Sequence, residues 1–254
     1  MDLNSTQKNK LNNIISYTLA ILTVLAFMVF IVLRQATDFS FAPYSEYTSL
    51  ISKGFLNTII VSIISLLGSL VLGFILYLLS KSKIKYFNAI VDVFTEIIYG
   101  TPLLVLIIIS AFLIGPAFNT YNRIVMGTIA LIIYMSPYMK NVFKSAFSSI
   151  SEEQYMAMDL FGFTSYQKYR YIIIPQVIRI LMPPMMNNFS LIIKGSALLN
   201  VLSFNELYYN ILLAQYGSFA YVEGYILMWV LYLIITIPLS QFSKLVERKW
   251  SLWN

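Results

Sequence analysis

The chain lacks cysteine and histidine altogether and is poor in charge, since only 11% of its 254 residues are Asp, Glu, Lys or Arg. The two absences exclude disulfides, thiolate nucleophiles, Cys/His metal sites and any general base built on histidine. A soluble domain has about 25% charged residues, whereas 59% of this chain is hydrophobic. The composition excludes a large soluble core and predicts a polytopic, all-α membrane protein.

Long apolar runs mark the predicted membrane spans. About 20 apolar residues are enough to cross the ~30 Å hydrocarbon core of a bilayer. Six runs are candidates: residues 13–33, 55–79, 87–114, 124–139, 172–202 and 225–239. A Gly-Thr-Pro step at residues 100–102 lies within the third run, and we expect Pro175, Pro183 and Pro184 to break the fifth. The pattern predicts about six transmembrane helices.

Basic residues indicate the orientation of these spans, because cytoplasmic loops are enriched in Lys and Arg. With the N-terminus inside, twelve of the 17 basic residues lie on the cytoplasmic side: Lys8, Lys10, Lys81, Lys83, Lys85, Lys140, Lys144, Lys168, Arg170, Lys244, Arg248 and Lys249. The net charge of +6 therefore fits a multi-pass protein with both termini in the cytoplasm. No basic run interleaved with aromatic residues suggests nucleic-acid binding.

The hydrophilic stretch at residues 140–170 contains a predicted short cytoplasmic helix. Ser151 can cap its start and the acids that follow suit the helix dipole, while Gly162 can supply the left-handed turn that ends it. We expect the helix, at residues 152–163, to show Tyr155, Met156, Met158 and Phe161 to its surroundings. Such a helix either lies on the bilayer surface or docks into a groove of a separate protein.

The spacing of this segment resembles the cytoplasmic signature of permeases of binding-protein-dependent ABC importers. That signature is Glu-Ala-Ala, three residues, Gly, nine residues and Ile-x-Leu-Pro. Residues 156–158 (Met-Ala-Met), Gly162 and residues 172–175 (Ile-Ile-Ile-Pro) occupy the corresponding places. Residues 96–105 are also similar to the Glu-x-x-Arg-Gly-Thr-Pro-Leu-Leu-Val run of the polar-amino-acid branch. The match covers about residues 53–245.

The chain departs from the family pattern at several places. Tyr99 replaces the Arg of the Gly-Thr-Pro run, and Asn141 and Lys144 stand where Glu and Arg are usual. Asn188 stands where permeases of this branch often have Glu. A neutral residue at that place favours a neutral or polar amino acid as cargo, because a cationic side chain needs a carboxylate nearby. Glu96 keeps the cationic alternative open.

The resemblance implies a permease subunit of the bacterial plasma membrane and its partners. These are two copies of a cytoplasmic ATP-binding subunit, a second identical or related permease chain, an extracellular or periplasmic substrate-binding protein, and membrane lipid. ATP and Mg are expected in the ATP-binding subunit, because this chain has no Walker motif; it is expected to be no enzyme and to hold no cofactor. Expected domains are residues 1–52 (tail, first helix and external loop), 53–245 (permease) and 246–254 (cytoplasmic tail).

Two sets of residues are candidates for function. The coupling set, expected to contact the ATP-binding subunit, is Glu153, Tyr155, Met156, Ala157, Met158, Asp159, Phe161 and Gly162. The substrate-path set, chosen because polar groups within a bilayer are costly and mark pathways or pairings, is Glu96, Thr101, Asn187, Asn188, Lys194 and Ser196. For Glu96 and Lys194, pairing between helices is the alternative to contact with cargo.

Two other functions fit a polytopic chain. A self-sufficient secondary transporter needs broken helices in two related halves, and only one broken region is visible here. An integral-membrane enzyme needs convergent titratable groups at one depth, and the absence of His and Cys leaves few candidates.

Overall fold

The computed structural model describes residues 5–35 and 39–251, and every regular element within these ranges is helical. The α-helices are α1 (Ser5–Gln35), α2 (Thr48–Ser80), α3 (Lys85–Gly100), α4 (Leu103–Ile109), α5 (Gly115–Ala117), α6 (Arg123–Ser148), α7 (Glu152–Leu160), α8 (Ser165–Gln167), α9 (Ile174–Ser196), α10 (Leu207–Ser218) and α11 (Tyr221–Ser251). A 3₁₀ turn at Ala42–Tyr47 precedes α2, and a second at Ala197–Leu202 follows α9. π turns occupy Ser110–Ile114 and Lys168–Ile173. The all-α prediction is confirmed.

Small residues on α2 allow its close packing along α6. Ser62, Ser65 and Ser69 are fully buried, and Gly73 lies one turn further along the same face. A Cβ atom on Gly73 would lie 2.5 Å from the Cβ of Met139, so only glycine permits this approach. Such small-residue stripes are typical of helix pairs within membranes, where close backbone approach replaces a hydrophobic driving force.

Three helical segments of the described chain are long and apolar enough to cross a membrane: Leu11–Gln35, Ala42–Ser80 and Tyr221–Glu247. A fourth is added if Lys85–Gly100 and Leu103–Ala117, which meet at a 109° bend, count as one span. The bend coincides with the Gly-Thr-Pro step. The helices α6 and α9, where the sequence predicts two further spans, are not among these long apolar segments. A total of six spans therefore stays a prediction.

The C-terminal half differs from expectation in two ways. Pro175 lies in the first turn of α9, where proline is tolerated. Pro183 and Pro184 lie inside this helix, which is continuous from Ile174 to Ser196, so the break expected at these two residues is absent. Ser243 of α11 donates to the carbonyl oxygen of Pro183 at 3.2 Å, an example of a neighbouring helix bonding to backbone near a proline. In addition, α10 is a 12-residue helix that the apolar runs did not reveal.

A buried carboxylate fixes α10 against α2 and α11. Glu206 is fully buried and caps the start of α10, where it accepts hydrogen bonds from the backbone N–H groups of Tyr208 and Tyr209. Its Oε2 atom also accepts from the Tyr232 hydroxyl at 3.0 Å and from the Thr58 hydroxyl at 3.4 Å. Several donors thus satisfy a group whose burial would otherwise be costly. Sequence reasoning missed this residue.

Candidate functional site

Both ends of α7 are formed as the sequence predicts. The Ser151 hydroxyl accepts from the backbone N–H of Gln154 at 3.3 Å, and two acidic residues follow in the first turn. At the other end Gly162 has φ +70°, and the next N–H, that of Phe163, returns to the carbonyl of Met158 at 3.0 Å. This is the left-handed arrangement that glycine adopts without strain. The following helix begins with a capping box between Thr164 and Gln167.

One face of α7 attaches the helix to the bundle. Met158 is 4% exposed and packs in a cluster that also contains Ala146, Ile150, Ile173, Val177 and Leu181, which come from α6, α9 and the segments beside them. The expectation that Met158 lies on the exposed face is therefore wrong. Tyr155, three residues earlier on the same face, packs against this cluster. Burial raises the pKa of the Tyr155 phenol above its ordinary value of 10.0, so the neutral hydroxyl is favoured.

Other apolar side chains on α7 and at its C-terminal cap are exposed. Met156 is 57% exposed, Leu160 88% and Phe161 81%. Glu153 and Ala157 are exposed beside them. Leu160 was not in the predicted set, although its spacing of four residues from Met156 places both on one face.

An ion pair stabilises the end of α7. Asp159 forms it with Lys168, and the Asp159 side chain remains 68% exposed.

A second candidate region is a polar groove between α9 and α11 with a volume of about 500 Å³. Asn187 and Lys194 of α9, two members of the substrate-path set, both line it. Polar residues that line the groove with them are Ser190, Thr236, Ser240, Ser243, Lys244 and Glu247. We call this surface the α9–α11 groove. It is open in the single chain, so its polar groups need water, cargo or another protein beside them.

The other four predicted path residues lie elsewhere. Asn188 is buried, and its amide nitrogen contacts the sulfur of Met139 at 3.7 Å, so adjacent amides point to different sides of α9. Ser196 is fully buried and donates to the carbonyl of its own helix at Ile193. Thr101 donates to the carbonyl of Ile97 at the α3–α4 bend, and Glu96 is exposed on α3. The structure therefore brings together two of the six.

A small cavity, which sequence reasoning missed, lies between α4, α6 and α9. Its volume is about 180 Å³, and it is lined by Leu103, Leu131, Tyr134, Met135, Tyr138, Leu191 and Ile192. Tyr134 and Tyr138 lie one helical turn apart with ring centroids at 5.9 Å. This spacing of four residues between aromatics in a predicted span was the available signal. We call it the tyrosine-lined cavity.

Comparisons with known proteins agree with this architecture. Residues 69–252 match the family described as "Binding-protein-dependent transport system inner membrane component". The chain is 31% identical over 201 residues to the "Probable glutamine ABC transporter permease protein GlnM" of Bacillus subtilis (strain 168), which covers 79% of this chain and 93% of that protein. The glutamine transport system permease protein GlnP of Escherichia coli (strain K12) is 28% identical, covering 79% and 92% respectively.

A solved structure has the same fold. It is described as "Crystal structure of an amino acid ABC transporter with histidines", and it superposes with a TM-score of 0.75 at 27% identity. The superposition covers 84% of this chain and all of the matched one.

The helical bundle, its apolar spans and the polar groove define a membrane-embedded subunit of a solute transport system. More specifically, the chain belongs to the family of binding-protein-dependent transport system inner membrane components. It is thus a translocation subunit of an ABC importer, and this membership implies a separate ATP-binding subunit as partner.

Proposed function

We propose that this chain forms the path for a neutral or polar amino acid, and that α7 docks onto the ATP-binding subunit. The observation that supports it most is the two-sided character of α7. Buried Met158 fixes the helix to the bundle, while Met156, Leu160 and Phe161 stay exposed on a segment outside the predicted spans. Full burial of each such side chain stabilises a complex by about 1.5–3 kcal/mol, so a groove on a partner is a better environment than water.

The attachment of α7 explains how docking moves the membrane helices. The cluster around Met158 contains Ala146 of α6 and Val177 of α9. These two helices border the tyrosine-lined cavity, and α9 also borders the α9–α11 groove. When two copies of the ATP-binding subunit close on ATP and Mg, a displacement of α7 is passed to α6 and α9 as a rigid-body movement, which switches the access to the path.

The α9–α11 groove supports a second permease chain, identical or related, as the other wall of the path. Lys194, Ser190 and Ser240 lie on helices predicted to span the membrane. Charged and polar side chains at that depth face protein or a water-filled cavity rather than lipid. A partner chain that covers this groove would enclose a hydrated passage, to which an external substrate-binding protein delivers the cargo.

The amino-acid cargo is inferred from the names of relatives and from the residues of this chain. Both relatives described above are named for glutamine transport. Asn188 brings no carboxylate to α9, but its amide is buried against Met139 and does not line the α9–α11 groove, so the names of the relatives are the main support for a neutral cargo. Glu96 is exposed on α3 and is the acid that would serve a cationic cargo. Uptake into reconstituted vesicles, with arginine and lysine competing against neutral amino acids, distinguishes the two; preference for the cationic pair refutes the neutral assignment.

The proposed topology has six spans, with both termini in the cytoplasm and residues 53–245 as the permease domain. Two serines test it in this cysteine-free chain. Ser45→Cys lies in the predicted external loop and Ser165→Cys follows α7, and both positions are exposed. An impermeant thiol reagent added to intact cells should label Ser45→Cys only. Labelling of Ser165→Cys alone would show that the orientation is the opposite of the proposed one.

The docking proposal is tested by copurification of this chain with its ATP-binding subunit. Phe161→Asp should weaken the complex by about 2 kcal/mol or more, as expected for a central aromatic at an interface. Phe118→Asp is a matched control, because Phe118 is 77% exposed in the predicted external loop. Equal recovery of the ATP-binding subunit with both variants would refute docking through α7.

A further inference from the structure

Two neighbouring polar contacts join α3 to α6. Lys140 donates from Nζ to the Thr95 hydroxyl at 2.8 Å, and Asn141 donates from Nδ2 to the Tyr99 hydroxyl at 2.7 Å. Thr95 and Tyr99 are four residues apart on α3 and therefore share one face, while the two donors are consecutive on α6. We call these four residues the α3–α6 latch.

The first contact is the buried half of the latch. Lys140 is 8% exposed and Thr95 7%. The Thr95 hydroxyl donates in turn to the carbonyl of Val91 at 2.7 Å, so its oxygen is free to accept the hydrogen bond from Lys140. A charged donor makes this a stronger bond than a neutral pair. Lys140 was counted with the cytoplasmic charges, yet it is an interior group that ties two helices.

The second contact lies where the path can be gated. Tyr99 is the penultimate residue of α3, directly before the 109° bend, and its ring packs edge-on against Tyr138 with centroids 5.1 Å apart. Tyr138 and Leu103, the first residue after the bend, both line the tyrosine-lined cavity. Gly100 lies at the bend, between Tyr99 and Leu103 in the chain. No atom lies within 4 Å of a Cβ built on it, so packing does not hold the bend from that side.

We infer that the α3–α6 latch makes the α3–α4 bend follow α6, so that movement of the coupling helix α7 opens or closes the tyrosine-lined cavity. The helix α6 ends at Ser148 and α7 begins at Glu152, so α6 is the first membrane helix that a displaced α7 moves. The latch then moves the end of α3, and Leu103 with it, together with Tyr138. Tyr99 and Asn141 are positioning residues in this scheme, and the scheme rests on the proposed function.

Two of the residues that depart from the family pattern are in contact with each other. Tyr99 stands in place of Arg and Asn141 in place of Glu, and the structure shows that the two side chains are bonded to each other. An Arg and a Glu at these places would be of opposite charge. The Tyr99–Asn141 pair is neutral and joins the two helices by a hydrogen bond, whereas an Arg or a Glu at only one of the two places would be a charge without its partner.

The test measures whether α3 and α6 move as one body. Ile97→Cys on α3 and Ser145→Cys on α6 are exposed positions for a pair of spin labels in this cysteine-free chain. In the complex with its ATP-binding subunit, the distance between the labels should be the same with and without trapped ATP. Tyr99→Phe and Asn141→Leu, each of which removes one partner of the bond, should make that distance change with ATP.

A double-mutant cycle separates the latch from a general structural effect. The variant with both Tyr99→Phe and Asn141→Leu should behave like either single variant, because all three lack the same bond. The pair Tyr99→Arg and Asn141→Glu should restore the ATP-independent distance, while either change alone should not. Tyr86→Phe is the control, since Tyr86 lies on the same helix and is 68% exposed; it should behave as the parent.

Transport measurements give a second test of the latch. With L-glutamine as the probe, uptake per ATP hydrolysed should fall about fivefold in Tyr99→Phe, the ratio expected for loss of one hydrogen bond. A distance that stays ATP-independent in Tyr99→Phe, or single effects that add in the double variant, would overturn the latch. Failure of the parent to bind the ATP-binding subunit would instead overturn the proposed docking, and absence of glutamine uptake by the parent would overturn only glutamine as cargo.

Discussion

The exposed face of α7, which contains Met156 and Leu160, and the α9–α11 groove have opposite polarity. The first is apolar where water is expected, and the second is polar where lipid is expected. The α7 face is apolar, with Met156 57% and Leu160 88% exposed, on a segment predicted to lie in the cytoplasm. The groove is polar, with Lys194 and Ser190 open to the surface of helices predicted to lie in the membrane. Exposed apolar patches and intramembrane polar groups both indicate a missing neighbour.

The difference between the two surfaces indicates what each neighbour must supply. An apolar face is satisfied by any complementary apolar groove, so its energy comes from a few large side chains. A polar groove needs hydrogen-bonding partners, which water, a polar cargo or a second chain can provide. The exposed face of α7 should therefore determine how tightly the ATP-binding subunit binds, whereas the α9–α11 groove should determine how readily cargo passes. The following predictions test this division, from the largest expected effect to the smallest.

Two methionines on opposite faces of α7 give the sharpest test. Met158→Ala should destabilise the bundle by about 2–5 kcal/mol, because a buried side chain is lost and a cavity left. Met156→Ala should change stability by less than about 0.5 kcal/mol yet weaken binding of the ATP-binding subunit. Thermal unfolding in detergent and copurification measure the two effects. Equal losses of stability would remove the distinction between the attached and the docking face.

The second largest effect is expected at the left-handed turn that ends α7. Gly162→Val should cost about 1–3 kcal/mol of strain, because a β-branched residue resists φ +70°. No atom lies within 4 Å of a Cβ built there, so the cost comes from the backbone and not from a clash. Gly162→Asn should be much milder, since Asn tolerates this conformation. ATP-driven uptake should follow the same order, and a valine variant with parental uptake would contradict the role of this turn.

Two adjacent amides on α9 test the polar surface. Asn187→Leu should reduce uptake about tenfold, because it removes a hydrogen-bonding group from the α9–α11 groove. Asn188→Leu replaces a buried amide whose recorded contact is a weak one to the sulfur of Met139, and assembly should be retained. A larger loss of uptake from Asn188→Leu would place the cargo on the other side of α9, towards the tyrosine-lined cavity.

The smallest effect is expected at the ion pair of α7. Asp159→Asn should change stability by less than about 1 kcal/mol, because the aspartate side chain is 68% exposed and water screens the pair. The difference between parent and variant should shrink further in high salt. A loss comparable to that of Met158→Ala would mean that charge, and not apolar packing, fixes α7 to the bundle.

Local signals in the sequence predicted α7 correctly at both ends. Ser151 and Gly162 act through their own backbone and the next few residues, so their effects do not depend on distant parts of the chain. The tertiary structure was needed to assign its faces. Met156 and Met158 are the same residue type two positions apart, and only packing against α6 and α9 made one buried and the other exposed. Pro183 and Pro184 likewise suggest a break locally, but α9 remains continuous beside α11.

The amino-acid sequence by itself determined the helical class and the two ends of α7, because composition and capping are properties of short segments. The tertiary structure alone decided which polar residues meet. Tyr99 and Asn141 are 42 residues apart and bonded, whereas Asn187 and Asn188 are neighbours that point to different surfaces. Glu206 and Lys140 are buried for the same reason, since their partners come from helices remote in sequence. Pairings of this kind depend on how helices pack, and no local pattern encodes them.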